Sequence, residues 1–326
     1  ALLWRRAAPK KKVCAAKFLG NIMKFHSKPF TAACALLVCV ASQPAFAQNQ
    51  SSSNTTTSAD DKGVLRFSTG INYSKGDYGE LTDTKVVSAP VSLKYSKDNF
   101  SIRVSVPYVR IDGPGSLIQT PEGRDGGSGS GGRTDNSGPG SANSGSGSGS
   151  SGEVEVDNSG GAPVSSRRSG FGDVVIGSTY SFDLGNDFYI DATGKVKIPT
   201  ASKAKRLGTG KVDVTAALDF VKEFGPTTLY VHGRRKFAGS STTVQLRDTW
   251  GAGAGASVRA GNGVTVGADY DWQQSSIVGN QASSEVTGWA SFRLAKGFNM
   301  SIFGSTGLNS NSTDFAGGLS LSIRLN

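Results

Sequence analysis

Between residues 171 and 237 the chain repeats one pattern: apolar and polar side chains alternate singly, the chain turns, and the alternation resumes. In 174–182, Val174, Ile176, Tyr180 and Phe182 alternate with Val175, Gly177, Thr179 and Ser181. Asp183-Leu184-Gly185-Asn186 turns the chain tightly. The next run sets Phe188, Ile190, Ala192, Val196 and Ile198 against Asp191, Thr193, Lys195 and Lys197. A longer polar segment, 199–211, leads to Val212, Val214, Ala216, Leu218 and Phe220 alternating with Asp213, Thr215 and Asp219. After a short turn, Leu229, Val231 and Phe237 alternate with Tyr230, His232, Arg234 and Lys236. A period of two puts successive side chains on opposite faces of an extended strand. One face is apolar, the other charged, and tight turns alternate with long polar loops. These features predict an all-β fold, a transmembrane antiparallel up-and-down β-barrel with lipid outside and a polar lumen inside.

The same periodicity predicts about twelve strands, at 64–73, 85–95, 100–109, 173–182, 188–198, 212–221, 228–237, 249–259, 264–273, 285–294, 298–305 and 315–325. The long connections (74–84, 110–172, 199–211, 238–248, 274–284, 306–314) all follow odd-numbered strands. The short ones (96–99, 183–187, 222–227, 260–263, 295–297) all follow even-numbered strands. Lipid-face aromatics gather at both strand ends. Tyr73, Tyr108, Phe237, Trp250, Trp272 and Phe315 mark the long-loop rim. Tyr95, Phe100, Phe182, Phe188, Phe220, Phe292 and Phe298 mark the short-turn rim. Two girdles are expected where amphipathic rings settle at two membrane interfaces. A soluble β-sandwich would concentrate its aromatics mid-strand.

Composition matters chiefly at the start of the chain. Eight of the 35 basic residues, from Arg5 to Lys28, precede Ala47, where there is no acid. The remainder carries 27 basic and 25 acidic residues, so the net charge of +10 shrinks to +2 and gives no support to nucleic-acid binding. Cys14, Cys34 and Cys39 also precede Ala47, which excludes disulfides and thiolate metal sites beyond it. Lys24 and Lys28 stand ahead of the apolar run 30–40, followed by Ala45-Phe46-Ala47, as in a cleaved secretory signal peptide at 23–47. Residues 1–22 form an upstream extension, and 48–62 a polar periplasmic tail without periodicity. The barrel occupies 63–326, and its external loop 112–169 is mostly Gly and Ser between 123 and 161, a flexible coil by composition.

Catalytic constellations are not evident, and no enzymatic activity or cofactor is predicted. The single histidine after Ala47 is His232, which the alternation points into the lumen beside Arg234 with no characteristic serine spacing. Gly251-Ala252-Gly253-Ala254-Gly255 alternates inside a strand, where small residues make room, and lacks the helix of a nucleotide-binding glycine run. Leu207-Gly208-Thr209-Gly210-Lys211 lacks the spacing of a phosphate loop. The lumen face is more informative. Arg66, Arg103, Asp191, Lys195, Lys197, Asp213, Tyr230, His232, Arg234, Arg259, Asp269 and Trp289 point inward as candidate solute contacts. Lys94, Lys236, Arg293 and Arg324 add basic charge and Asp219, Asp271 and Glu285 acidic charge, while Tyr189 and Phe303 also face in. A basic excess favours anionic or polar solutes. Twelve strands about 4.8 Å apart, tilted about 40°, enclose a backbone diameter of roughly 24 Å and leave a passage of about 10 Å once side chains are in place.

The chain also resembles a known family, outer-membrane proteins named for the MetA (meta-cleavage) pathway of phenol degradation. The resemblance covers about 64 to the end of the chain. It rests on Gly170-Phe171-Gly172-Asp173, on Lys197-Ile198-Pro199-Thr200-Ala201 with Leu207-Gly208-Thr209-Gly210, and on Tyr270-Asp271. Gly304-Ser305-Thr306-Gly307-Leu308 with Ser312-Thr313-Asp314 adds to it. It implies an outer-membrane transporter of small aromatic compounds. Barrels of this kind usually end in an aromatic residue read by the barrel-assembly machinery. This sequence ends Ile323-Arg324-Leu325-Asn326, which predicts a weaker assembly signal. The expected function is therefore passive passage of small solutes, aromatic compounds or anions among them, across a bacterial outer membrane. Its expected partners are outer-membrane lipid, the solutes and the assembly machinery; no oligomeric state is implied. The rival expectation is a non-conducting structural or adhesive barrel acting through its external loops, which single-channel recording separates from the first.

Overall fold

The computed structural model describes residues 63–77, 83–113, 118–120, 152–154, 166–239, 246–276 and 278–325. The extension 1–22, the signal peptide 23–47, the tail 48–62 and the Gly/Ser run of the long loop lie outside the described residues.

Alternation of the predicted kind produces the strands β1 (Val64–Gly76), β2 (Thr84–Lys97) and β3 (Phe100–Gly113). A small hairpin of β4 (Ile118–Thr120) and β5 (Gly152–Val154) follows. Next come β6 (Ser166–Phe171), β7 (Val174–Asp183), β8 (Phe188–Ile198), β9 (Asp213–Phe224) and β10 (Thr227–Phe237). The series ends with β11 (Thr249–Arg259), β12 (Val264–Gln273), β13 (Ser283–Ala295), β14 (Phe298–Gly307) and β15 (Phe315–Arg324). Each wall strand pairs antiparallel with its neighbours in sequence, and β1 pairs with β15, so the sheet closes on itself. Closure leaves no open edge, which a sheet in hydrocarbon requires because lipid cannot satisfy unpaired backbone groups.

β6 and β7 both pair with β3, β6 along its outer part and β7 along its inner part. They are two pieces of one wall position, broken at Gly172-Asp173, and the wall thus has the twelve positions expected. The predicted bounds coincide with β8, β11 and β12. At the long loop the wall extends further than the alternation shows. Arg110 to Gly113 pair with Ser166 to Ser169, so the strands take up the ends of the loop predicted at 112–169.

The two faces separate as the alternation requires. Ile71, Leu93, Ile102, Leu218, Val231, Ile302 and Leu319 are exposed on the outer face. Ser68, Ser92, Ser101, Asp191, Asp219, Thr287 and Ser301 are buried on the inner one. Short turns need little chain: Gly225-Pro226 alone joins β9 to β10, with Gly225 at φ 60 in the left-handed region that glycine tolerates.

Candidate functional site

The site is the lumen wall, and register decides what each inward side chain faces. Strand tilt makes a row of register-matched residues climb the barrel as it passes from strand to strand. One such row begins at the short-turn rim with Arg324 of β15, opposite Arg66 of β1. It continues through Lys94, Arg103, Gly177, Lys195, Thr215 and Lys236 to Thr249 near the long-loop rim. Six of its nine members are cations and none is a carboxylate.

A second row lies four residues toward the short-turn rim along β8, β9 and β10, or about 13 Å along each strand. It runs Ser181, Asp191, Asp219, His232, Gly253, Asp271, Glu285. Four carboxylates and one imidazole make this the acidic row. The lumen therefore carries two ramps of opposite sign, the basic one nearer the outside on the strands they share.

The glycine stripe of β11 is what lets the acidic side close up. Gly251, Gly253 and Gly255 face inward between Arg234, His232 and Tyr230 of β10 and Gln273, Asp271 and Asp269 of β12. A Cβ on Gly253 would lie 2.6 Å from His232 Nε2, and one on Gly251 would lie 2.7 Å from Arg234 Nε. With hydrogen there instead, the β10 side chains lie flat across β11 and reach β12. Arg234 donates to both carboxylate oxygens of Asp271, at 2.7 and 2.6 Å, and to Gln273 Oε1 at 2.7 Å. His232 Nε2 meets Asp271 Oδ2 at 2.9 Å. Tyr230 donates its hydroxyl proton to Asp269. Bidentate, charge-assisted bonds of this kind fix side chains firmly. They also place His232 as a wall residue, its ring held between a carboxylate and a guanidinium.

The remaining predicted residues divide by position. Lys197 faces Asp213 one row above the basic ramp. Arg259 reaches the Gly225 carbonyl and braces the turn at the short-turn rim. Trp289 lies over Gly267 and opposite Phe303, while Tyr189 packs with Val221 and Tyr230, giving the inner lumen two aromatic patches.

Near the long-loop rim, ten residues enclose a polar pocket of about 500 Å³, part of it open to the lumen. They are Val175, Lys195, Lys197, Asp213, Thr215, Arg234, Lys236, Thr249, Gly251 and Gln273. Asp213 draws two of the lysines together, with Lys197 Nζ at 2.6 Å and Lys236 Nζ at 3.6 Å from Oδ2.

Beside this pocket the segment between β8 and β9 turns inward, where the sequence suggested a plain external loop. Asp173, freed at the break between β6 and β7, accepts the Ala201 amide at 2.8 Å and holds Lys197 at 3.6 Å. Thr200 Oγ1 accepts from the Val174 amide at 2.9 Å, and Lys197 donates to Thr209 Oγ1 at 3.3 Å. Ala201 and Leu207 then pack on the inward-facing Val86, Val109 and Ile111. The two glycine-bearing motifs, 170–173 and 197–210, are thus halves of one latch at the mouth. A Cβ on Gly170 would lie 2.7 Å from Leu207, so the first motif's glycine is the floor on which the second rests.

With that geometry established, residues 91–325 match the family described as "Putative MetA-pathway of phenol degradation". The chain belongs to this family. No curated protein matches it. Among solved structures it is similar to an outer membrane channel from Pseudomonas putida F1, with TM-score 0.54 and 13% identity over 84% of this chain and 100% of that one. The translocator domain of the autotransporter NalP from Neisseria meningitidis is similar at TM-score 0.43 and 9% identity, over 82% and 90% of the two chains. The Ralstonia pickettii toluene transporter TbuX gives TM-score 0.41 and 13% identity, over 81% and 90%. At such identities the first likeness is one of fold, a barrel of the outer-membrane type.

Proposed function

We propose that this family member is an outer-membrane channel for passive passage of small anionic solutes, aromatic acids and phenolates among them. The observation that carries the reading is the basic ramp, six cations in register from the short-turn rim to the outer mouth. A continuous cationic track along a polar lumen lowers the cost of an anion at each step and raises it for a cation. The Trp289–Phe303 and Tyr189–Tyr230 patches offer ring surfaces below it, which suits solutes with an aromatic body and an acidic group. The family's name, taken from phenol degradation, supports the same solute class.

Planar-bilayer recording across a potassium chloride gradient tests this. The wild-type protein is expected to conduct with a reversal potential on the chloride side. Replacing Arg66, Lys94 and Arg103 by Gln should move that potential toward the potassium side. A tight bilayer, or cation selectivity in the wild type, refutes the reading.

A further inference from the structure

The pocket near the mouth has chemistry that general anion passage does not require. Its lining holds four cations, Lys195, Lys197, Arg234 and Lys236, and one carboxylate, Asp213. The cations stand on two strands, β8 and β10, with β9 between them. Lys195 and Lys236 are matched to the same residue, Thr215, from opposite sides. Their strands therefore lie two spacings apart, roughly 10 Å. Asp213 sits on the floor of that gap and tethers Lys197 and Lys236 from below. Thr215, Thr249 and Gln273 supply neutral hydrogen-bonding groups around it. Val175 is the one large apolar residue in the lining, so the pocket suits a polar body rather than a ring.

We propose that this pocket is a saturable binding site for small dicarboxylates, one carboxylate held on the β8 side by Lys195 and Lys197 and the other on the β10 side by Arg234 and Lys236. Two cationic groups flanking a gap of this width favour two separate anionic groups on one molecule over a single compact anion. A carboxylate bridging two ammonium groups gains charge-assisted bonds on each oxygen. The single floor carboxylate leaves the lining basic, so a dianion enters without reversing the sign of the pocket. The proposal rests on the channel reading for access, because the pocket opens to the lumen and a solute reaches it by that route. Lys197 also bonds Thr209 of the inward latch, so the bound solute shares a residue with the segment that narrows the mouth.

Isothermal titration calorimetry on the detergent-solubilised barrel at low ionic strength tests the site directly, with succinate as probe. Acetate, inorganic phosphate and phenol are the comparison solutes. Succinate should bind saturably at one site, more tightly than acetate or phosphate, with no saturable binding of phenol. Lys195→Met and Lys236→Met should each weaken succinate by about tenfold or more, the loss expected when one charge-assisted bond is removed. Lys222→Met removes the same charge at the opposite rim, on the outer face, and should leave binding unchanged. Heat-modifiable migration on gels verifies that each variant is folded, and two lysines on different strands keep the test open if one variant fails to fold. The proposal falls if succinate shows no saturable binding, if phosphate binds as tightly, or if Lys222→Met weakens binding as much as the pocket variants. Calorimetry needs no conduction: a barrel that binds succinate but leaves the bilayer tight refutes the channel and keeps the site. One that passes anions without saturable binding refutes the site and keeps the channel.

Discussion

A row of arginine substitutions on the lipid face of β9 tests the transmembrane assignment by depth. Val214 and Leu218 both point outward and are 43% and 47% exposed, so exposure alone does not distinguish them. Position does. Val214 is the second residue of β9 and pairs with Phe237 of the outer girdle, whereas Leu218 stands mid-strand opposite Ala192 and Gly233. Four residues at about 3.3 Å each, tilted about 40°, separate them by roughly 10 Å along the membrane normal. An arginine at the midplane costs about 2–4 kcal/mol of folded stability and one near the interface about 0–1. Leu218→Arg should therefore cost about 2–3 kcal/mol more than Val214→Arg. Thr215→Arg, which enters the lumen, should be tolerated. Reversible guanidinium titration in lipid vesicles, followed by tryptophan fluorescence, measures all three. Equal costs at 214 and 218, or a loss at 215 as large as that at 218, would show that β9 does not cross a bilayer with this face outward.

Gly253→Ala should destabilise the barrel by about 1–3 kcal/mol, because its new methyl must displace His232, whereas Gly194→Ala, with nothing within 4 Å of its Cβ position, should be neutral or slightly stabilising in the same titration. Asp271→Asn should cost about 2 kcal/mol, since it strips the paired charge from Arg234 and leaves a nearly buried guanidinium with Gln273. Asp173→Ala removes the partner of the Ala201 amide; limited trypsin digestion should then cut faster at Lys203, Lys205 and Arg206, and an unchanged rate would mean that the latch does not depend on this carboxylate. Cysteine introduced at Gly279 should react with a membrane-impermeant maleimide on intact cells, while one at Asn262 should not; labelling at 262 would reverse the orientation.

The strands and their faces were legible because lipid and lumen impose opposite chemistry on alternate residues, a contrast that a period-two reading detects directly. The glycines of β11 were legible as space without a purpose. Only register showed that the space holds Tyr230, His232 and Arg234 on their way to β12. The outer ends of β3 and β6 were missed for a related reason. Past the bilayer neither face need be apolar, and Arg110, Asp112 and Arg167 interrupt the pattern, though Arg167 pairs with Asp112 at 2.9 Å. The inward latch was missed as well, since two apolar residues, Ala201 and Leu207, in a polar stretch carry no periodic signal.

The sequence alone determined which residues face lipid, how many strands cross, and which rim bears the long loops, because each of these follows from local alternation and spacing. It also determined that the lumen is charged. Tertiary structure decided how those charges are ordered. Arg324 and Arg66 are 258 positions apart in the chain yet directly opposed in the wall, and Lys195 comes to flank Lys236 across Thr215. Such neighbours depend on the stagger with which the sheet closes. Stagger is a property of the whole barrel, set jointly by every strand pair, and no local segment encodes it.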